Sequence, residues 1–135
     1  MRFPLAFGLL VIGTAVAAPV PKDFKKKSDF DALQGEWVIG ESVMFGKPSP
    51  ASHGIRYAVT GNAIRLFRPD STTDGTITLD EKEKTYTWVA AWGTWVGRYR
   101  IDGDTLTMVG WRGQVPPDEL KPGPRVEYDV LSRVK

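Results

Sequence analysis

The chain has 135 residues, with 18 basic and 16 acidic side chains, and its formal charge of +2 at pH 7 is close to balance. Nucleic-acid binding requires a concentrated basic face, so this balance argues against nucleic acid as a partner. The sequence contains no cysteine, which excludes disulfides, thiol catalysis and cysteine-ligated metals.

The N-terminal residues have the pattern of a cleavable signal peptide. Arg2 supplies a positive charge, residues 5–15 form an apolar run, and Ala15-Val16-Ala17 gives the small-x-small pattern of a cleavage site. The run is well short of the ~20 residues that a membrane-spanning helix needs, which favours cleavage before Ala18 over a retained anchor. We therefore expect an exported protein, periplasmic or secreted, with residues 1–17 removed and no stable membrane span afterwards.

One domain is expected over residues 29–135, after a linker at residues 18–28 that is rich in proline and lysine. Ser28 is placed as the N-cap of a short helix, because Asp31 follows three residues later as an acidic variant of the capping box. Gly35 is expected to end this helix.

From Glu36 onward, apolar and polar residues alternate with a period of two, and Gly, Pro, Asn and Asp interrupt the alternation about every ten residues. This pattern predicts an all-β domain of eight antiparallel strands. The strands are expected at residues 36–45, 55–60, 63–68, 75–79, 85–91, 94–101, 105–111 and 126–134. Such strands close most naturally into a small up-and-down barrel, since closure removes exposed edges, and a β-sandwich is the alternative.

Tight turns predict which residues face one another across the strands. Asp102-Gly103 is a sharp hairpin turn, and Trp92-Gly93 is a looser candidate. The cross-strand pairs that follow are Tyr99 with Leu106, Trp95 with Gly110, and Trp88 with Gly97. The side chains predicted to point into the barrel are Trp37, Ile39, Val43, Tyr57, Val59, Ile64, Leu66, Ile77, Leu79, Tyr86, Trp88, Trp95, Tyr99, Leu106, Met108, Val126, Tyr128 and Val130.

Three stretches resemble a family of exported, lipocalin-like domains of planctomycete bacteria. They are Leu33-Gln34-Gly35-Glu36-Trp37, the hairpin Gly97-x-Tyr99-x-Ile101-Asp102-Gly103-Asp104-Thr105-Leu106, and the closing Leu131-x-Arg133. Their order and spacing bracket nearly the whole domain. The resemblance implies a small lipocalin-like barrel and no particular activity. The chain departs from the family between Trp88 and Trp95, where it is richer in tryptophan, and at the rigid stretch from Pro116 to Pro124.

The Gly35-x-Trp37 stretch is also similar to the Gly-x-Trp signature of lipocalins. That resemblance implies that Trp37 plugs the closed end of the barrel and that Arg133 stacks on it, a structural cation–π contact worth ~0.5–2 kcal/mol. Alternation counted from Val126 places Arg133 on the outer face, so the stacking requires a bend or bulge near the end of the last strand.

The residues that could support catalysis are few. His53 is the only histidine and lies in a loop rich in Pro and Ser, where a solvated side chain is expected rather than a general base. One histidine without cysteine does not make an ordinary zinc site, and the acidic turns lack the spacing of an EF-hand loop. The chain also has no Gly-x-Ser-x-Gly elbow and no glycine-rich phosphate loop. We therefore expect no enzyme activity, no cofactor and no metal.

Glu41 interrupts the inward apolar pattern of the first strand. A carboxylate inside a barrel costs several kcal/mol unless it is paired or hydrated. One hypothesis is that Glu41 marks a polar spot in a ligand cavity. The favoured alternative is that the strand is bulged or emerges from the barrel near this residue, which would leave Glu41 in water.

The inward aromatic residues leave two functional hypotheses open, because an eight-stranded barrel either is filled by its own side chains or holds one small ligand. In the first, the protein binds a small apolar or aromatic ligand among Tyr86, Trp88, Trp95, Tyr99, Met108 and Glu41. In the second, the barrel is filled and acts as an interaction module, binding an envelope protein or a carbohydrate through Trp92, Trp111 and the loop from Pro116 to Pro124.

Overall fold

A computed structural model of the protein describes residues 27–135, and these residues form one closed antiparallel barrel. The predicted signal peptide and residues 18–26 of the predicted linker lie outside the described residues. The elements in chain order are a helix α1 (Asp29–Leu33), β1 (Gly35–Met44), β2 (Lys47–Pro48), a 3-10 turn (Pro50–Ser52), β3 (Arg56–Thr60), β4 (Ala63–Arg68), β5 (Ser71–Asp80), β6 (Thr85–Ala90), β7 (Gly93–Asp102), β8 (Thr105–Arg112) and β9 (Glu127–Arg133).

The strands from β3 to β9 pair in sequence order, and β1 pairs with both β3 and β9. This double pairing closes an eight-stranded barrel, while the two-residue β2 adds only to one end of β1. The all-β barrel is therefore confirmed, and the sandwich alternative is wrong. Closure leaves each long strand paired on both sides, which removes the exposed edges of a small sheet.

The helix α1 begins as the sequence predicts, because Ser28 Oγ accepts a hydrogen bond from the Asp31 N–H at 3.1 Å. Gly35 is already the first residue of β1, and its φ of 113° provides the abrupt change of direction between helix and strand.

β5 is twice the length expected from the sequence, because it begins at Ser71 rather than Gly75. The added residues are all polar, so they lack the alternation that predicts a strand. They are held by pairing with β4, where Arg65 stands opposite Asp74 and forms an ion pair with it.

The two hairpin registers differ from the predicted ones by two residues. Across β7 and β8, Tyr99 faces Met108 and Gly97 faces Gly110; across β6 and β7, Tyr86 faces Gly97. A shift of two residues keeps every side chain on its face of the sheet, so the predicted inward set on these strands is unaffected.

The inward set is wrong on β9 and on the second half of β1. A bulge between Ile39 and Glu41 changes the register of β1 against β9, and one extra residue reverses the face of every side chain that follows it. On β9 the buried residues are Asp129 and Leu131. Four residues predicted to point inward therefore lie outside the central core, namely Val43, Val126, Tyr128 and Val130.

Apolar residues on the outer face of β9 misled the prediction because part of the outer surface of the barrel is also covered. Val96 and Val109 are buried although they lie on the opposite face from the central core. The chain between β8 and β9 lies over this side, where Arg98 Nε donates to the carbonyl of Pro117. On β7 and β8, apolar residues are therefore buried on both faces of the sheet.

Candidate functional site

One end of the barrel is closed by Trp37 and Arg133. Trp37 is fully buried, and its indole N–H donates to the Leu33 carbonyl at 2.8 Å. The Arg133 guanidinium lies 4.3 Å from the Trp37 ring centroid and donates to the carbonyls of Gln34 and Ala32. Carbonyls at the C-terminus of a helix have no hydrogen-bond partner within the helix, and a positive charge there is stabilising.

Gly35 belongs to this arrangement because a side chain there would meet Arg133. A Cβ on Gly35 would lie 3.2 Å from Nη1 of Arg133. The sequence alternation that placed Arg133 on the outer face is wrong, because β9 turns its odd-numbered residues inward and no bend near its end is required.

The N-terminus of α1 is also attached to the barrel. Tyr99 Oη donates to Oδ2 of Asp29 at 2.7 Å, and Glu81 accepts from the N–H groups of Asp29 and Phe30. Tyr99 is therefore a buried residue of the closed end, and its hydroxyl holds α1 against the barrel.

The opposite end of the barrel holds a cavity of about 300 Å³ that opens to solvent. It lies inside the barrel and is lined from six of the eight long strands. The lining residues are Tyr57, Leu66, Arg68, Tyr86, Trp88, Trp92, Trp95, Met108, Arg112, Glu127 and Asp129.

Aromatic rings in edge-to-face contact form much of the cavity wall. The Trp88 ring centroid lies 5.3 Å from that of Tyr57 and 6.0 Å from that of Trp92, and Trp92 lies 6.1 Å from Trp95. Edge-to-face pairs of this kind stabilise one another by about 0.5–1.5 kcal/mol beyond the area they bury. The walls are therefore preformed, with ring faces and edges available to a flat ligand.

Glycines on the strands make room for these rings. A Cβ on Gly75 would lie 2.6 Å from Nε1 of Trp88, and a Cβ on Gly110 would lie 2.6 Å from Oη of Tyr86. Large rings beside small residues were expected from the sequence, although the register pairs them differently.

Buried polar side-chain atoms without hydrogen-bond partners lie in the cavity wall and next to it. Among residues 27–135 these atoms are Oδ1 of Asp129, Nε1 of Trp88 and Oγ of Ser42. Asp129 and Trp88 are each 5% exposed, and Ser42 stands opposite Asp129 across β1 and β9. A buried polar group left unpaired costs about 1–3 kcal/mol, so the fold carries a cost at this site that a bound polar atom would relieve.

The electrostatics of the cavity centre on Asp129. Burial raises the pKa of Asp129 far above its usual range, and the neighbouring Glu127 carboxylate raises it further. The Ser42 hydroxyl is near enough to oppose this change slightly, but it makes no hydrogen bond of standard geometry. Asp129 therefore carries a proton at neutral pH when the cavity holds no cation.

The phenols of the cavity stay neutral across the physiological range. Burial raises the pKa of Tyr57 and of Tyr86, and the nearby carboxyl groups of Asp129 and Glu127 act in the same direction. The positive charge comes from Arg68 and Arg112, whose side chains are exposed. Arg112 lies 5.6 Å from the Trp92 ring centroid, a second cation–π contact.

The structure brings together four of the six residues expected to line a ligand cavity: Tyr86, Trp88, Trp95 and Met108. Two expectations are corrected. Tyr99 lies at the closed end, and Glu41 is exposed beside the bulge of β1 and does not line the cavity. Glu41 thus follows the alternative in which the bulge leaves it in water.

Sequence reasoning missed the two acidic residues of the cavity. Glu127 and Asp129 alternate with Tyr128 and Val130, so polarity alone placed the acids outside. The Leu131-x-Arg133 ending contained the missing signal. If Arg133 stacks on Trp37, every second residue before it on β9 must also point inward, and Asp129 is one of them.

The two tryptophans expected to act at the surface are less exposed than that hypothesis requires. Trp92 lines the cavity, and Trp111 is half-buried with its N–H donated to the Val115 carbonyl at 2.6 Å. His53 is exposed at the end of the 3-10 turn.

Comparisons with protein-family models, with curated proteins and with solved structures find no match to this chain. Among residues 27–135, no helix is long and apolar enough to cross a membrane. Nor does that part of the chain bring three or more His, Cys, Asp or Glu side chains together as a metal site.

Proposed function

We propose that the protein is a binding protein whose barrel holds one small, flat and largely apolar molecule at its open end. The observation that supports this function is the cavity of about 300 Å³, which the barrel's own aromatic side chains line without filling. At the ~30 Å³ that a water molecule occupies in the liquid, this volume accommodates roughly ten non-hydrogen atoms.

The composition of the cavity supports binding rather than simple incomplete packing. Apolar cavities left by poor packing are lined by apolar atoms, whereas ligand sites combine apolar walls with a few placed polar groups. Here the unpartnered atoms of Trp88 and Asp129 lie at the same cavity as five aromatic rings. This combination favours a binding site over a filled interaction module, and Trp92 and Trp111 offer little free surface for the latter.

We also propose that the protein is exported and that it belongs with the lipocalin-like domains of planctomycete bacteria. Export is supported by the charged, apolar and small-residue segments at the N-terminus. The family relation is supported by the Leu33–Trp37 opening and by Arg133, which lies over Trp37 as the lipocalin resemblance implies. We assign no catalytic role to any residue.

Native mass spectrometry tests the binding function. The protein is purified from its own cell envelope and compared with a sample unfolded in denaturant and refolded. A discrete additional mass in the first sample, absent from the second, is the expected result. A bare polypeptide mass in both samples, together with no binding of aromatic probes by the refolded protein, would contradict the proposal.

A further inference from the structure

We propose that the ligand is a flat aromatic molecule with a positively charged amino group, and that Asp129 and Glu127 receive this group inside the aromatic walls. The inference rests on the proposed binding function and names the chemical class of the ligand.

The two carboxyl groups belong to the same strand and the same cavity. Asp129 and Glu127 are two residues apart on β9, so they share a face, and both line the cavity. Asp129 Oδ1 is buried and has no hydrogen-bond donor among the described residues. A charged N–H donor is the group that best satisfies a buried carboxylate oxygen.

The walls are also suited to a cation. Tyr57, Tyr86, Trp88, Trp92 and Trp95 all line the same cavity as the carboxyl groups. Aromatic faces carry partial negative charge, and an ammonium group within about 6 Å of such a face is attracted to it, most strongly where water is excluded. The aromatic part of the ligand would stack on the same rings.

Arg68 and Arg112 carry positive charge and would repel a bound cation, but their exposure to solvent weakens this repulsion. Both are exposed, whereas Asp129 is 5% exposed. Charges in water are screened far more strongly than charges in the interior, so the buried carboxyl group dominates the energetics of a buried ligand. Arg112 is also engaged with the Trp92 ring.

Binding of the cation exchanges it for a proton. In the empty cavity Asp129 is protonated at neutral pH, because of its burial and of Glu127 beside it. An ammonium group favours the ionised form of both acids, so Asp129 releases its proton to water when the ligand enters.

Apart from Glu127, the hydroxyl and phenol groups that face Asp129 do not compete for this proton. The hydroxyl of Ser42 on β1 does not titrate, and the phenols of Tyr57 on β3 and Tyr86 on β6 keep their protons because burial raises their pKa values. The other charged side chains that line the cavity are Arg68 on β4, Arg112 on β8 and Glu127 on β9 itself.

Three probes that share an indole ring test the inference: tryptamine as the cation, indole as the neutral compound and indole-3-acetate as the anion. Each is titrated into the full-length mature protein by calorimetry at pH 7, in two buffers of different ionisation enthalpy. We expect tryptamine to bind at least about tenfold more tightly than indole, because hydrogen bonds to charged groups are stronger than those between neutral groups. The two buffers should report close to one proton released per tryptamine and none per indole.

Asp129→Asn should reduce tryptamine affinity to that of indole and abolish proton release. Asp118→Asn is the matched control, because it removes the same charge from an exposed site in the loop between β8 and β9. Equal binding of indole and tryptamine without proton release would overturn the cation inference and leave the binding function standing. Tighter binding of indole-3-acetate would overturn it as well, since the arginines would then dominate. Binding of none of the three by folded wild-type protein would instead overturn the binding function.

Discussion

Asp129 is a buried acidic side chain inside the barrel. Its side chain points into the barrel, opposite Met108 on β8 and Ser42 on β1. An ionised carboxylate there would be costly without a partner, and the fold supplies none among the described residues. The acid therefore remains neutral in the empty protein and destabilises it as the pH rises.

We expect Asp129→Asn to change the pH dependence of stability. Because the pKa of Asp129 is raised on folding, its favourable contribution is fully present below about pH 4 and is lost as the pH rises toward 9. The variant should be more stable than wild type at pH 8, by about 1–2 kcal/mol or more, and the difference should shrink near pH 4. Urea unfolding at several pH values measures this. Parallel profiles for the two proteins, or an equal effect from Asp118→Asn, would show that Asp129 is not buried as a neutral acid.

Arg133 is the residue on which the closed end depends most. It stacks on Trp37, donates to two carbonyls of the segment that ends α1, and forms an ion pair with Asp104. Lysine keeps the charge but loses the planar group that makes these contacts together. We expect Arg133→Lys to lower the free energy of unfolding by about 1–3 kcal/mol.

Arg125→Lys is the control for that change, because Arg125 is exposed in the loop before β9. Its effect should stay within about 0.5 kcal/mol. Equal stability of both variants in thermal or urea unfolding would mean that the charge alone holds α1 on the barrel.

At the scale of the strands, the aromatic walls depend on glycines on β5, β7 and β8. Gly97 is the most crowded of them: a Cβ there would lie 2.6 Å from the Tyr86 ring and closer still to the Val109 carbonyl oxygen. The backbone cannot give way as a flexible side chain could, so we expect Gly97→Ala to destabilise the barrel by about 2 kcal/mol or more.

Gly123→Ala provides the comparison, because the added methyl group would make an ordinary contact at 3.6 Å to Val126. It should leave stability nearly unchanged. If both glycine variants unfold at the same urea concentration, the close packing of Tyr86 on β7 is not required for the fold.

Sequence alternation predicts the elements well where one face is buried and the other is wet. The bounds of β4 are those predicted, and hairpin parity assigns Tyr86, Trp88, Trp95 and Met108 to the interior. Alternation fails where that condition fails. On β9 the polar Glu127 and Asp129 face a cavity, while Tyr128 lies opposite Val109 on a side that the preceding loop covers.

The register errors have a related cause. A dipeptide such as Asp102-Gly103 can occupy two positions in a hairpin, and the choice between them changes the register by two without moving any side chain to the other face. Burial patterns therefore cannot distinguish the two. The bulge at Gly40 is likewise invisible to composition, although Glu41 in an apolar alternation was its one trace.

For the whole molecule, we expect residues that line the cavity to affect stability and the proposed ligand binding differently. Leu66 and Ile64 lie two residues apart on the same face of β4, but only Leu66 lines the cavity, whereas Ile64 is packed within the core. We expect Leu66→Phe to fill empty volume and to change stability by less than about 1 kcal/mol. Ile64→Phe should cost about 1–3 kcal/mol, because the added atoms have no space.

We expect the two substitutions to rank in the opposite order in their effect on ligand binding. Leu66→Phe should weaken the binding of indole and of tryptamine together, while Ile64→Phe at a temperature where it is folded should bind as wild type does. Calorimetry on both variants measures this. Undiminished binding by Leu66→Phe would place the ligand outside the barrel.

The closure of one end by Trp37 and α1 has a kinetic consequence. A barrel with a single entrance exchanges its contents sequentially, because the resident molecule must leave through the opening by which the next one enters. An excess of a second compound can therefore prevent rebinding but cannot accelerate departure. Release measured in a chase experiment should proceed at one rate whatever the concentration of the competitor.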